Sequence, residues 1–331
     1  MAVRRPLSPS LLREKTVPSH RERLGGKATK RSRFGSKLAD QRESTLITSM
    51  VCEKANLRYH VLDSECTEHY LQPDEITQLA SQTSMLQTVL TLSSRHSYSN
   101  HYLMQIAPLL RKSPTISLSL VAGNPSYLNL EEAKSNPADT LADLVVLARR
   151  LLPEKEIFVG TEGLLNASLA LAEDHDLNPF FLFDRSLEPS LLRARRELPK
   201  ARIAVYVPYL VSKQGENPAY EILTSLGSYI VRRRWVQVRM VENGHEPNVE
   251  SVRKLLEHSK KAGDVLEEQD LGRLLMGCAC KLAIYGSTLE VVEGFQMLFE
   301  KGVDVIIGSP VRESEEQVIA LGQCLSLASS H

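Results

Sequence analysis

Lys155-Glu-Ile-Phe-Val-Gly160-Thr-Glu-Gly163-Leu-Leu-Asn-Ala-Ser-Leu169 contains the repeating unit of the whole chain. Ile157–Gly160 is a short β-branched and aromatic run stopped by glycine, and it reads as a buried strand. Gly160 and Gly163 bracket a turn, after which apolar residues predict a helix from about Leu164 to Glu173. Pro179-Phe-Phe-Leu-Phe-Asp184 is the next strand, and a helix around 188–197 follows it. Strand, turn, helix and strand again within about thirty residues is the unit of a parallel sheet with crossover helices.

The rhythm extends both ways. Toward the N-terminus, strands are expected at 57–63, 86–92 and 115–122, with helices from Pro73 to about Gln82, at 101–111, and from Asp139 to Leu152, where Pro153 closes the last. Toward the C-terminus come a strand at 203–210, a long helical region over 216–300, a strand at 303–308 and a helix at about 314–327. Gly244–Pro247 marks a helix-ending turn before a new helix at Asn248. Seven strands are clear. An eighth should precede them: Ser44–Cys52 reads as that strand or as a first helix, and Arg33-Phe34-Gly35 as a vestigial strand start. The expected fold is an α/β, eight-stranded (β/α)8 barrel with a degenerate first strand. An open doubly wound sheet is the alternative.

Composition sets the bounds. A chain of 331 residues with 42% hydrophobic and 24% charged residues is ordinary for a soluble globular protein. No apolar run is long enough to predict a membrane span, and a cytoplasmic location is expected. The formal net charge is zero, yet the first 45 residues hold twelve basic against four acidic residues. The remainder therefore carries eight more acids than bases. Residues 1–43, with Pro6, Pro9, Pro18 and Gly25-Gly26, read as a basic unstructured arm; residues 44–331 form the barrel. Nucleic acid is not an expected partner except through that arm, whose one aromatic residue is Phe34. Five cysteines, Cys52, Cys66, Cys278, Cys280 and Cys324, give an odd count suited to a reducing compartment. Cys278 and Cys280 sit in an apolar stretch and read as buried small residues; no metal site is expected.

Four segments, in order, resemble one family. Residues 155–169 are similar to the fifth strand and glycine loop of the bacterial-luciferase-like barrels, and Ala201–Tyr209 to their seventh strand. Ala283-Ile-Tyr-Gly286-Ser-Thr-Leu-Glu looks like a helix start of that family, and Gly302-Val-Asp-Val-Ile-Ile-Gly308-Ser309-Pro310 like its last strand and Gly-Ser-Pro turn. The nearest pattern is that of the deazaflavin-dependent methylenetetrahydromethanopterin reductases. The resemblance implies an oxidoreductase that uses coenzyme F420 or FMN on a small organic or pterin-type substrate, commonly as a homodimer.

In such barrels the site lies at the C-terminal strand ends. There the resemblance puts Ser93, Ser94, Gly123, Asn124, Gly160, Thr161, Gly163, Gly308 and Ser309 against the cofactor, with Asp184 and Tyr209 on the same rim. Glycines at 160 and 163, with a helix start behind them, suit an anion equally with a tight turn that needs glycine for geometry. Glu162 opposes a phosphate unless it points away. Arg95 and His96 are anion contacts or solvated loop residues. Arg232–Arg234 reads as a solvated helix face beside one buried tryptophan, Trp235. The acid that the family carries on its first strand has no counterpart here, which leaves Asp63 and Glu65 as the acids able to protonate a substrate. A catalytically silent barrel, acting as a ligand-binding or assembly protein, is the competing expectation.

Overall fold

A computed structural model describes residues 49–62, 70–82, 86–125, 128–213, 218–262, 266, 269–312 and 314–329. The arm over 1–43, Arg33–Gly35, Asp63 and Glu65 lie outside the described residues. Residues 49–54 are helical, so the described part of the Ser44–Cys52 segment is a helix. All seven expected strands form: β1 (Tyr59–Leu62), β2 (Gln87–Ser93), β3 (Ile116–Val121), β4 (Ile157–Gly160), β5 (Asn178–Leu182), β6 (Ala204–Val211) and, after a short additional strand β7 (Ile284–Gly286), β8 (Val305–Pro310). Between and after them run α1 (Pro73–Gln82), α2 (Ser99–Lys112), α3 (Leu130–Lys134), α4 (Pro137–Leu151), α5 (Leu165–His175), α6 (Glu188–Glu197), α7 (Pro218–Leu226), α8 (Arg234–Glu242), α9 (Val249–Ala262), α10 (Asp270–Ala279), α11 (Thr288–Glu300) and α12 (Glu315–Ala328).

Every pairing is parallel, and β1 to β6 follow one another in chain order. β6 then forks: Ala204–Tyr209 pair with β8, while Tyr209–Val211 pair with β7. The region expected to be helical over 216–300 is thus interrupted by β7. The chain returns to helix at once because Ser287 and Glu290 form a capping box, Ser287 N–H donating to Glu290 Oε2 at 2.7 Å.

The strands curl around a filled interior. β3 alternates, with Ile116, Leu118 and Leu120 packed outward under the helices and Ser117 and Ser119 turned inward. On the inner side Val89, Phe158, Phe180, Ala204, Val305 and Ile307, from five strands, form a single cluster with Tyr59 and Val61 of β1. Strands from both ends of an open sheet could not share such a cluster, and β1 lies within 8 Å of β8. A barrel wall is therefore the architecture, and the open sheet is excluded. Outside, α4 is typical of the helical layer. Asn136 caps it, accepting from Ala138 N–H at 3.0 Å, Pro137 opens it, and Leu141, Leu144, Val145 and Ala148 bury one face.

The N-terminal end of the barrel is closed by polar groups. Arg202 Nη1 donates to Glu156 Oε1 at 2.7 Å and to the Tyr59 hydroxyl at 2.5 Å, and Asn178 Nδ2 donates to Glu156 Oε1 at 3.3 Å. The Arg202 guanidinium also lies 5.4 Å from the Tyr59 ring centroid. Burial first, and then the Glu156 charge, raises the Tyr59 phenol above its ordinary pKa. Arg202→Ala strands Glu156 and should cost roughly 1–3 kcal/mol. In urea unfolding, the Arg202→Ala/Glu156→Ala pair should cost clearly less than the sum of the singles; strict additivity would refute this coupling.

Candidate functional site

Above the buried inner cluster, the next inward positions are only half-buried: Val121, Gly160, Leu182, Pro208 and Ser309. The barrel is solid below and opens upward onto an apolar floor. Around that floor the strand ends are fixed by specific contacts.

At the β2–β3 corner, Ser93 is fully buried and its Oγ has no hydrogen-bond partner among the described residues. Gly123, at φ +87°, passes directly over it: a Cβ there would stand 1.9 Å from Ser93 Oγ. Glycine is required at 123 by this crossing. Ser94 N–H donates to Val121 O at 2.7 Å, and its hydroxyl lies 3.1 Å from Thr140 Oγ1. Arg95, expected as an anion contact or a loop residue, instead clamps the turn: Nε donates to Ala122 O at 2.8 Å and Nη2 to Gly123 O at 2.6 Å. Asn124 follows, half-buried. His96 is buried, 3.4 Å from Glu132 Oε2. Burial alone would raise the Glu132 carboxyl, but N–H donors from Asn129 and Ser97, with the His96 ring, outweigh it and hold it below the usual carboxylate range.

At the β4–α5 turn, Thr161 directs both its N–H and its hydroxyl to Phe180 O, at 3.0 and 3.2 Å, and Ser168 Oγ donates to Gly160 O at 2.7 Å. A Cβ on Gly160 would meet Val121 Cγ1 at 2.9 Å, whereas Gly163, at φ +70°, faces open space. α5 starts at Leu164 without a side-chain cap. Its first-turn N–H groups therefore have no capping side chain among the described residues. Glu162 is drawn aside: its Oε1 accepts from the Tyr229 hydroxyl and lies 3.4 Å from Arg233 Nη1. The opposing charge expected in this loop is thereby neutralised.

Tyr229 and Arg233 belong to a helical insert between β6 and β7 with its own core, including Ile222, Leu226, Val236, Met240 and Leu275. The insert is fastened to the rim twice more. Trp235 Nε1 donates to Asp184 Oδ2 at 2.6 Å, and Arg312, after β8, holds Glu221 through Nη2 at 2.8 Å and Nε at 3.1 Å. Between α8 and the β5–α6 connection lies a groove of about 710 Å³. Tyr209, expected on the rim, is instead fully buried among the outer helices, its hydroxyl donating to Gln317 O at 2.5 Å. Gly308 also faces outward, where a Cβ would strike Leu321 and Tyr209, while Ser309 faces the floor.

The structure thus brings Ser93, Ser94, Gly123 and Asn124 to one side of the mouth, and Gly160, Thr161 and Gly163 to another. Reading the strands missed Tyr229, Arg233 and Trp235, which arrive from the insert. The signal available was a lone tryptophan directly after three arginines. Burial raises the thiols of Cys52, to about 12, and of Cys278 and Cys324, as expected for inert packing residues. Among the described residues no cluster could hold a metal ion, and no helix is long and apolar enough to cross a membrane.

A family of unknown function (DUF7388) matches residues 45–317. No curated protein matches the chain in sequence. Among solved structures, the coenzyme F420-dependent tetrahydromethanopterin reductase from Methanopyrus kandleri superposes with TM-score 0.62 at 16% identity, over 87% of this chain and 94% of that one. An F420-dependent secondary alcohol dehydrogenase, in complex with an F420–acetone adduct, gives 0.59 at 10% identity, over 87% and 95%. An EDTA monooxygenase from Chelativorans sp. BNC1 gives 0.53 at 12% identity, over 86% and 88%. The fold is that of the luciferase-like barrels, as the sequence resemblance implied.

Two outcomes follow from the β2–β3 corner. Gly123→Ala should destabilise by roughly 2–4 kcal/mol in urea melts, and adding Ser93→Ala should recover part of that loss. Failure of the second change to help would remove the crossing as the cause. Glu132 has a lowered folded pKa, so its stabilising contribution is present above the unfolded value of about 4.3 and is lost as pH falls through the folded one. Glu132→Gln should therefore be less stable than the parent at pH 7, with the gap closing in acid; a pH-independent gap would contradict the assignment.

Proposed function

We propose that this chain, which belongs to the family of unknown function DUF7388, is a luciferase-like oxidoreductase that holds a phosphorylated flavin-type cofactor, F420 or FMN, over the barrel mouth. The observation that carries this reading is the uncapped start of α5 beside Gly163, open at φ +70°, with Glu162 turned onto Arg233. Free N–H groups at a helix start, with the positive end of its dipole, suit a phosphate. Val121, Gly160, Leu182 and Pro208 offer a flat ring an apolar support, and the half-buried Ser94, Asn124 and Ser309 are polar neighbours for its edge, with Ser93 and Thr161 packed behind them. When bound, such a cofactor supplies or accepts a hydride. The residues hold it and its substrate in reacting geometry. Asp63 and Glu65, which follow β1 in the sequence, are proposed as the proton source. The superposed F420-dependent tetrahydromethanopterin reductase and F420-dependent secondary alcohol dehydrogenase support the cofactor class.

A second reading, a barrel that binds its ligand without turnover, is favoured by one observation. The rim carboxylates Glu162, Asp184 and Glu132 are each engaged by a partner. Either way we place the protein in the cytoplasm, as a homodimer acting on a small organic or pterin-type molecule. We propose that the basic residues 1–43 are separable from the barrel, a division that the family match beginning at residue 45 supports.

Titrating the protein with oxidised F420 or FMN should quench cofactor fluorescence saturably at micromolar concentration. Gly163→Asp, at an open position whose positive φ costs aspartate less than most residues, should weaken that binding at least about tenfold with an unchanged circular dichroism spectrum. Removing residues 1–43 should leave binding and melting temperature unaltered. Binding of neither cofactor, or indifference to Gly163→Asp, would defeat the proposal; saturable binding with no hydride exchange would select the second reading.

A further inference from the structure

Trp235, the one tryptophan in the chain, lines the groove between α8 and the β5–α6 connection. α8 turns Arg234, Trp235, Val238, Arg239 and Glu242 toward it, a spacing that places them on one helical face. Leu187 and Ser190, at the start of α6, stand among the other lining residues. The indole is held by its N–H bond to Asp184, and Lys281 lies 5.6 Å from the ring centroid.

The charges in this groove are unequally satisfied. Arg234 and Arg239 are exposed and make no ion pair among the described residues. The Arg233 side chain is 17% exposed; its Nη1 reaches Glu162, but its Nε is buried without an acceptor. Of the two lining acids, Asp184 is spent on Trp235 and Ser186. Glu242, at the end of α8, is about 12 Å along the axis from Arg234 and one turn beyond Arg239, with which it makes no ion pair among the described residues. The remaining wall is apolar and uncovered: Val238 is 49% exposed and Leu187 half-buried.

We propose that this groove binds a small organic acid with an apolar or aromatic body. Guanidinium groups match a carboxylate by paired N–H donors, so the exposed Arg234 and Arg239 take the acid group. The body of the ligand lies on Trp235, Val238 and Leu187, removing apolar surface from water. The groove, about 710 Å³, is broad and open, so the ligand lies along its wall rather than enclosed by it. The inference does not require a cofactor at the mouth.

Because Trp235 is the only tryptophan, its emission reports the groove directly. Cofactor-free, full-length protein is titrated with 4-phenylbutyrate, its uncharged amide 4-phenylbutyramide, acetate and inorganic phosphate. The expected result is a saturable change in emission with 4-phenylbutyrate. The amide, acetate and phosphate should each bind at least about tenfold more weakly. In the Arg234→Ala/Arg239→Ala variant, both exposed positions, 4-phenylbutyrate should also lose at least about tenfold, with an unchanged circular dichroism spectrum. No saturable change, equal binding of acid and amide, equal binding of phosphate or acetate, or an indifferent double variant would overturn the proposal. A failed cofactor titration would leave this result standing.

Discussion

The barrel depends on how its interior is filled. Phe158 and Phe180 project inward from adjacent strands, and at their level the neighbouring strand β3 presents Ser117 and Ser119. Bulk on one side is accommodated by small side chains on the other, which lets the wall curve tightly around a packed centre. Below this layer Arg202, Glu156, Tyr59 and Asn178 satisfy one another and seal the N-terminal end. No ligand can occupy such an interior, so ligand chemistry is confined to the upper face. There the inward positions continue as Val121, Gly160, Leu182 and Pro208, with nothing packed to the same depth above them.

The upper face is shaped by a second body of packing. The helical insert has a core distinct from that of the barrel, and its described side-chain hydrogen bonds to the rim are polar and charged: Arg233 and Tyr229 to Glu162, Trp235 to Asp184, Glu221 to Arg312. Each fastening has a consequence beyond holding the insert. The first removes a negative charge from the vicinity of the α5 start. The second fixes the tryptophan ring as a wall of the groove. Charge neutralisation and wall-building are thus performed by the same few contacts.

The strands were legible because each is a short apolar run ended by Gly, Pro or Ser, and the helices because their apolar faces recur at helical spacing. β7 was not legible: three residues are too few to show a period, although Ser287-x-x-Glu290 behind it is a capping signal. Closure of the ring was visible only as an expectation, since it rests on side chains from distant strands sharing one cluster. The site was less legible than the fold. Glycines at 123, 160 and 308 suggest room for a ligand, yet a Cβ at each would strike the protein itself, on Ser93, Val121 and Leu321. A glycine kept for close packing and one kept for a ligand look alike in sequence; Gly163 alone of these four has open space. Arg95 shows the same ambiguity, since its guanidinium serves two backbone carbonyls.

Charge distribution joins these features. Beyond residue 45 the chain carries eight more acids than bases, so the average surface repels an anion. At the mouth the balance reverses. Arg233, Arg234, Arg239 and Lys281 gather around Trp235, and the acids nearest them, Asp184 and Glu162, are engaged in hydrogen bonds or ion pairs. Cations gathered around one ring cost stability where they face only one another, because like charges at close range repel. Arg234 and Arg239, five residues apart, stand at the two edges of the groove-facing side of α8 with Trp235 and Val238 between them, and packing of the buried side of the helix requires a cation at neither position. An anionic ligand relieves the repulsion from outside, and a field of opposite sign over the rest of the surface directs it to this one place.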